Sequence, residues 1–123
     1  MYRVCVRRDF TARHYLVGGD WGEENRPHSH GYRVEWEIAG ADLDSHGFLV
    51  DLVDVERAVD EALARYRGAL LNDLEEFSGV NPSLERFTRI LWTRLSTGLH
   101  VQGLSSLVRL WENDQAWTSF EPG

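Results

Sequence analysis

Hydrophobic and polar positions alternate from Tyr2 to Phe10, with Tyr2, Val4 and Val6 set against Arg3, Cys5 and Arg7. A period of two predicts a half-buried strand. The alternation returns from Gly31 to Ala39, where Tyr32, Val34, Trp36 and Ile38 share one face and Arg33, Glu35 and Glu37 the other. This is the second predicted strand. Between the two, Leu16–His28 carries Gly18, Gly19, Gly22 and Pro27 and reads as a loop. Ala41–Gly47 is polar and turn-like, and Phe48–Val50 is a short apolar extension. The period then changes. Leu52, Val55, Val59, Ala62, Leu63 and Tyr66 recur at helical spacing, which predicts an amphipathic helix of about four turns ending near Gly68. A second helix is predicted after Asn81-Pro82, with the asparagine as cap and the proline at the first helical position. Its stripe is Leu84, Phe87, Leu91 and Leu95, and Gly98 is its stop. Leu104–Trp111 and Ala116–Phe120 complete the chain as two strands around an Asn113-Asp114 turn. The order ββααββ predicts an α+β fold, two helices packed on one antiparallel sheet.

A length of 123 residues fits one domain spanning residues 1–123. Apolar residues at 42% and charged residues at 27% exclude wholesale disorder. The net charge of −7 disfavours a nucleic-acid partner, which needs a basic face. All 13 basic residues are arginine, so chemistry built on a lysine amine, such as a Schiff base or a P-loop, is excluded. Cys5 is the only cysteine, which rules out an internal disulfide and a thiolate metal cluster. It reads as a small side chain on the first strand. No apolar run approaches the roughly 18 residues of a membrane span, and Met1–Arg8 lacks a signal-peptide core. The expected compartment is the cytosol, with no membrane partner.

The sharpest local feature is His28-Ser29-His30 at the mouth of the second strand. Alternate residues of a strand project to one face, so both imidazoles can reach one point. His14, just after the first predicted strand, can supply a third nitrogen. Three neutral imidazoles with one open position describe a catalytic zinc site. The alternative is a pair of surface histidines beside a loop. His46 and His100 lack such spacing and read as ordinary polar positions.

Four segments occur in a fixed order: Phe10 to His14, His28-Ser29-His30-Gly31-Tyr32, Asn81-Pro82-Ser83-Leu84-Glu85 and Leu110-Trp111-Glu112-Asn113-Asp114. Over nearly its whole length the chain resembles the 6-pyruvoyltetrahydropterin synthase / 6-carboxytetrahydropterin synthase family. The resemblance implies the tunnelling fold (T-fold), ββααββ, with sheets of several subunits closing into a barrel. A homo-oligomer, usually a hexamer with active sites between protomers, is implied as well. It further implies Zn2+ held by His14, His28 and His30, and a pterin ring gripped by Glu112. A carboxylate suits two adjacent N–H donors. Ser83 and Glu85 fall at the family's helix start, where Ser83 either caps the helix or touches substrate.

Two departures stand out. At the position of the family's usual catalytic cysteine the chain has Glu24, in Glu24-Asn25-Arg26-Pro27-His28-Ser29-His30. A subgroup of the family has this glutamate form and cleaves the side chain of dihydroneopterin triphosphate on the way to folate. The resemblance thus implies Glu24 as general base, provided burial raises its pKa. Where most members carry an Asp-His pair for proton transfer, the chain reads Arg67-Gly68. Glycine moves no proton and arginine is a fixed cation, so Arg67 either holds an anionic substrate group or ends a helix at the surface. The implied activity is a zinc-dependent lyase or cyclase on a pterin-like substrate such as dihydroneopterin triphosphate. The alternatives are a recruited lyase, aldol or cyclisation enzyme of specialised metabolism, and a catalytically silent zinc-binding homologue. The 7-deazaguanine precursor reaction is weakened by the missing cysteine.

Overall fold

In the computed structural model, which describes residues 1–123, the elements follow the predicted order. Strand β1 is Tyr2–His14, β2 His28–Gly40, helix α1 Leu52–Ala64, α2 Leu84–Gly98, β3 Ser105–Trp111 and β4 Trp117–Phe120. The strands form one antiparallel sheet in the order β1-β2-β3-β4. Both first strands run beyond their predicted ends towards the connecting loop, because the pairing continues unbroken from Tyr2 opposite Gly40 to His14 opposite His28. The three histidines therefore lie on the sheet itself, and His14 is the last residue of β1 rather than a residue after it.

Strand alternation sorts the side chains as the sequence foretold. Val6, Phe10, Ala12, Tyr32, Val34, Trp36, Ile38, Val108 and Leu110 are buried on the face that the helices cover. Val55, Val59 and Leu63 of α1 and Phe87, Leu91 and Leu95 of α2 meet them. Phe87 stands at the centre of an aromatic cluster, edge-on to Phe10, Tyr32, Tyr66 and Phe77. Leu52, expected in the α1 stripe, instead stays 45% exposed at the first turn of the helix. At Gly40, the last residue of β2, the Leu49 and Leu104 side chains occupy the space a Cβ needs.

The helix starts hold one correction. Asp51 caps α1 by accepting the Val53 N–H at 2.9 Å. On α2 the cap is Ser83, which accepts the Arg86 N–H at 3.2 Å, and Asn81 lies two residues outside the helix. The Asn81 amide is committed to the backbone of Val17 instead. After α1 the chain turns back through Gly68, whose φ of +69° favours glycine. There the Gly68 N–H donates to Thr11 O at 2.7 Å and the Arg13 N–H to Ala69 O at 2.8 Å, so this turn covers the outer edge of β1 at Thr11–Arg13. No helix is long and apolar enough to cross a membrane.

Candidate metal centre

At one end of the helix-covered face the aliphatic core gives way to imidazoles. His14 and His28 face each other across the β1–β2 ladder, and His30 lies two residues along β2. The ring centroids are 4.6, 4.8 and 4.9 Å apart, with the planes at 75 to 81°. One nitrogen of each ring falls within 4.8 Å of the others. Three rings set edge to face around one point do not stack; they converge.

The second nitrogens explain the convergence. His28 Nδ1 lies 2.8 Å from Arg26 O, and His14 Nδ1 lies 3.1 Å from Pro82 O. A carbonyl only accepts, so each Nδ1 carries the proton and each Nε2 is left with a lone pair. His28 Nε2 is buried without any hydrogen-bond partner. A buried acceptor without a donor is costly, and a metal ion at the convergence point removes that cost. Burial, and then the facing His30 and His28 rings, push the His14 pKa down to about 4. The ring is thus neutral near pH 7, the form that ligates a metal. A donor set of three imidazoles fits zinc with an open position.

Tyr32 continues the histidine row along β2, with its hydroxyl 3.3 Å from His14 Nδ1. Burial raises the phenol's pKa and the nearby Glu112 carboxylate raises it further, so the hydroxyl keeps its proton. Glu112 directly follows β3, whose last residue Trp111 pairs with Arg33. The structure brings Glu112 next to Tyr32 and so to the histidine end of the sheet.

The other expected residues are placed less directly. Glu24 lies in a single 3-10 turn, Gly22–Asn25, where it is exposed and makes no ion pair or side-chain hydrogen bond within the protomer. The Ser83 hydroxyl accepts the cap N–H of α2, one residue after the Pro82 carbonyl that receives His14. Arg67 donates to Asp9 O at 3.0 Å and lines a cleft of about 450 Å³ with Asp9, Thr11, Gly31, Arg33 and Trp111. Phe10 and Tyr32 border the same cleft, and Arg67 reaches it along the outer edge of β1 rather than from among the three histidines. Cys5 is exposed on the open face of the sheet, far along β1 from the histidines.

Sequence reasoning gave Tyr32 no role, although its spacing from His28 and His30 was the available signal. It also missed the asparagines that hold the loop after His14, because their partners are distant backbone groups and leave no local pattern.

The comparisons agree with this architecture. The 6-pyruvoyl tetrahydropterin synthase family model matches residues 3–123. A protein of Archaeoglobus fulgidus, provisionally named a 6-carboxy-5,6,7,8-tetrahydropterin synthase, is 29% identical over 115 residues, which are 93% of this chain and 90% of that protein. The structure of Caenorhabditis elegans 6-pyruvoyl tetrahydropterin synthase superposes with a TM-score of 0.86 at 20% identity, over 100% of this chain and 98% of that one. A Plasmodium vivax 6-pyruvoyltetrahydropterin synthase, described as the alanine variant of a catalytic glutamate, gives a TM-score of 0.79 at 14% identity, over 99% and 98%. With a family match over essentially its full length and the same four-stranded, two-helix T-fold, the chain belongs to the 6-pyruvoyl tetrahydropterin synthase family.

Proposed function

We propose that the protein is a zinc-dependent lyase acting on a pterin-like substrate such as dihydroneopterin triphosphate. The observation that carries this reading is the buried, unpartnered Nε2 of His28 at the convergence of three imidazoles, beside Tyr32 and Glu112. His14, His28 and His30 are the residues to hold the metal. When bound, zinc supplies a Lewis acid that polarises a carbonyl or hydroxyl oxygen. Glu112 accepts two neighbouring N–H donors of the heterocycle and orients it. Ser83 uses a lone pair for the helix cap and keeps its O–H to donate to substrate. Glu24 takes and returns the proton, in line with the catalytic glutamate named for the Plasmodium vivax enzyme. Its exposure in the protomer leaves desolvation to substrate or to a neighbouring subunit. Arg67 serves an anionic group in the cleft that it lines with Asp9, Tyr32 and Arg33, and the protein works as a homo-oligomer.

One observation favours a second reading, a family member recruited to a different lyase, aldol or cyclisation reaction. The turn that carries the family's proton-transfer pair here holds Arg67 and a left-handed Gly68, and offers no acid or base.

The test is metal analysis of freshly purified protein, followed by turnover of dihydroneopterin triphosphate. One zinc per chain and a loss of about 10²–10⁴-fold in kcat for Glu24→Gln are expected. Protein without zinc would falsify the metal assignment. Zinc without turnover moves the conclusion to the recruited enzyme, and full activity in Glu24→Gln removes the base.

A further inference from the structure

The loop joining the histidine ends of β1 and β2 buries almost nothing, yet the backbone of its first three residues is saturated from both sides. Asn72 accepts the Tyr15 N–H at 2.9 Å and donates to Tyr15 O at 2.9 Å. Asn81 does the same for Val17, at 2.7 and 2.9 Å. Each side-chain amide thereby imitates one residue of a neighbouring strand. The intervening Leu16 faces the other way. Its N–H donates to Glu24 O at 2.8 Å and its carbonyl accepts Asn25 Nδ2 at 3.0 Å. Asn25 also receives the Trp21 N–H at 2.8 Å and donates to Gly19 O at 3.0 Å.

These bonds form a chain of constraint. Asn72 and Asn81 extend β1 past His14 in strand-like form, and that extension is the template on which the Glu24 turn is bound. Pro82, next to Asn81, receives the His14 ring, so one short segment before α2 orients a histidine and the loop together. Without the two amides, Leu16 has no fixed position to present, and the exposed turn keeps only the bond from the His28 ring to the Arg26 carbonyl and its link to β2.

We propose that Asn72 and Asn81 are positioning residues that fix the Glu24 turn against the three-histidine cluster. The catalytic half of this inference rests on the reading of Glu24 as the base; the positional half does not. Asparagine is required at both sites. Aspartate has the same shape and keeps the acceptor, but sets a carboxylate oxygen against the Tyr15 or Val17 carbonyl and loses the donor.

Amide hydrogen exchange of the zinc-loaded protein tests the positional half in Asn72→Asp, Asn81→Asp and the corresponding alanine variants. Exchange over residues 15–26 is expected to accelerate by on the order of tenfold or more, with α2 protection and zinc stoichiometry unchanged. Acceleration confined to Tyr15 or Val17, with Leu16 and Arg26 as slow as before, overturns the proposal. The catalytic half is read from a double-mutant cycle on dihydroneopterin triphosphate turnover. Asn72→Asp is expected to lower kcat about tenfold with KM within about twofold, and to have no further effect in the Glu24→Gln background. Equal losses in both backgrounds overturn the catalytic half. If Glu24→Gln alone leaves turnover intact, the base reading falls, while the exchange experiment still decides the clamp.

Discussion

The two faces of the sheet are made from the same strands and solve opposite problems. The open face carries Arg3, Arg7, Asp9, Arg33, Glu35, Glu37 and Arg109, and it pairs its charges internally. Arg33 meets Asp9 at 2.9 Å, Arg109 meets Glu37 at 3.0 Å and Arg7 meets Glu35 at 3.4 Å. Glu35 also receives the Trp111 indole N–H. The helix-covered face carries a hydrocarbon core that ends abruptly in three histidines, a tyrosine and a nearby glutamate; buried polar atoms are left over at His28 Nε2, at the Trp36 indole nitrogen of the core and at the Ser96 hydroxyl of α2, and only the first stands among converging rings. A face full of charge can be chemically closed, whereas an unsatisfied atom marks a site where other ligating groups converge on it, as at His28 and not at Trp36 or Ser96. Charge density is a poor guide to function; unpaired polarity under burial is a better one when ligating groups converge on it.

The largest test of this contrast is Phe87→Ala. Removing the ring that touches Phe10, Tyr32, Tyr66 and Phe77 is expected to cost about 3–5 kcal/mol in denaturant unfolding, since the cavity lies at the centre of the core. A loss near 1 kcal/mol would show that the aromatic cluster does not carry the covered face. Next comes His30→Ala, expected to reduce bound zinc to below about a tenth of one equivalent while the fold persists. Retained zinc would break the idea that the end of that face is the metal centre.

On the open face, Arg109→Met is expected to change stability by only about 1 kcal/mol, because Glu35 keeps Arg7 and Trp111 and Glu37 keeps Arg3. A loss as large as that of Phe87→Ala would make the two faces energetically equal. A further test is a pH dependence away from both faces, confined to acid. Two hydrogen bonds from Arg65 at 2.7 Å, with the Tyr66 hydroxyl at 2.8 Å, hold the Glu76 pKa down to about 2. The unfolded chain takes up a proton near the ordinary value of 4.5 that the folded chain refuses, so stability falls as pH drops from about 4.5 towards 2. Glu76→Gln is expected to flatten that limb of the stability curve and leave the region above pH 5 nearly parallel to wild type.

Most of the fold was legible in the sequence because it rests on periodicity. Tyr32, Val34, Trp36 and Ile38 sit where alternation put them, and the α2 stripe faces the sheet. Errors fell at the ends. β1 reaches His14 because pairing with β2 outlasts its apolar alternation, and Ser83 rather than Asn81 caps α2 because Asn81 is drawn to Val17. Strand ends and caps depend on partners distant in the chain, which no local pattern encodes.

The sequence by itself determined the order ββααββ, the acidic lysine-free surface and the histidine pair on one strand face, all properties of neighbouring residues and of composition. Only the tertiary structure decided that His14 stands opposite His28 as the last residue of β1, that carbonyls of Arg26 and Pro82 aim the rings, and that Arg67 bonds to the edge of β1. It also decided that asparagines from two distant segments grip the loop carrying Glu24. Convergence and saturation are relations between groups far apart in the chain, and they exist only once the sheet has closed.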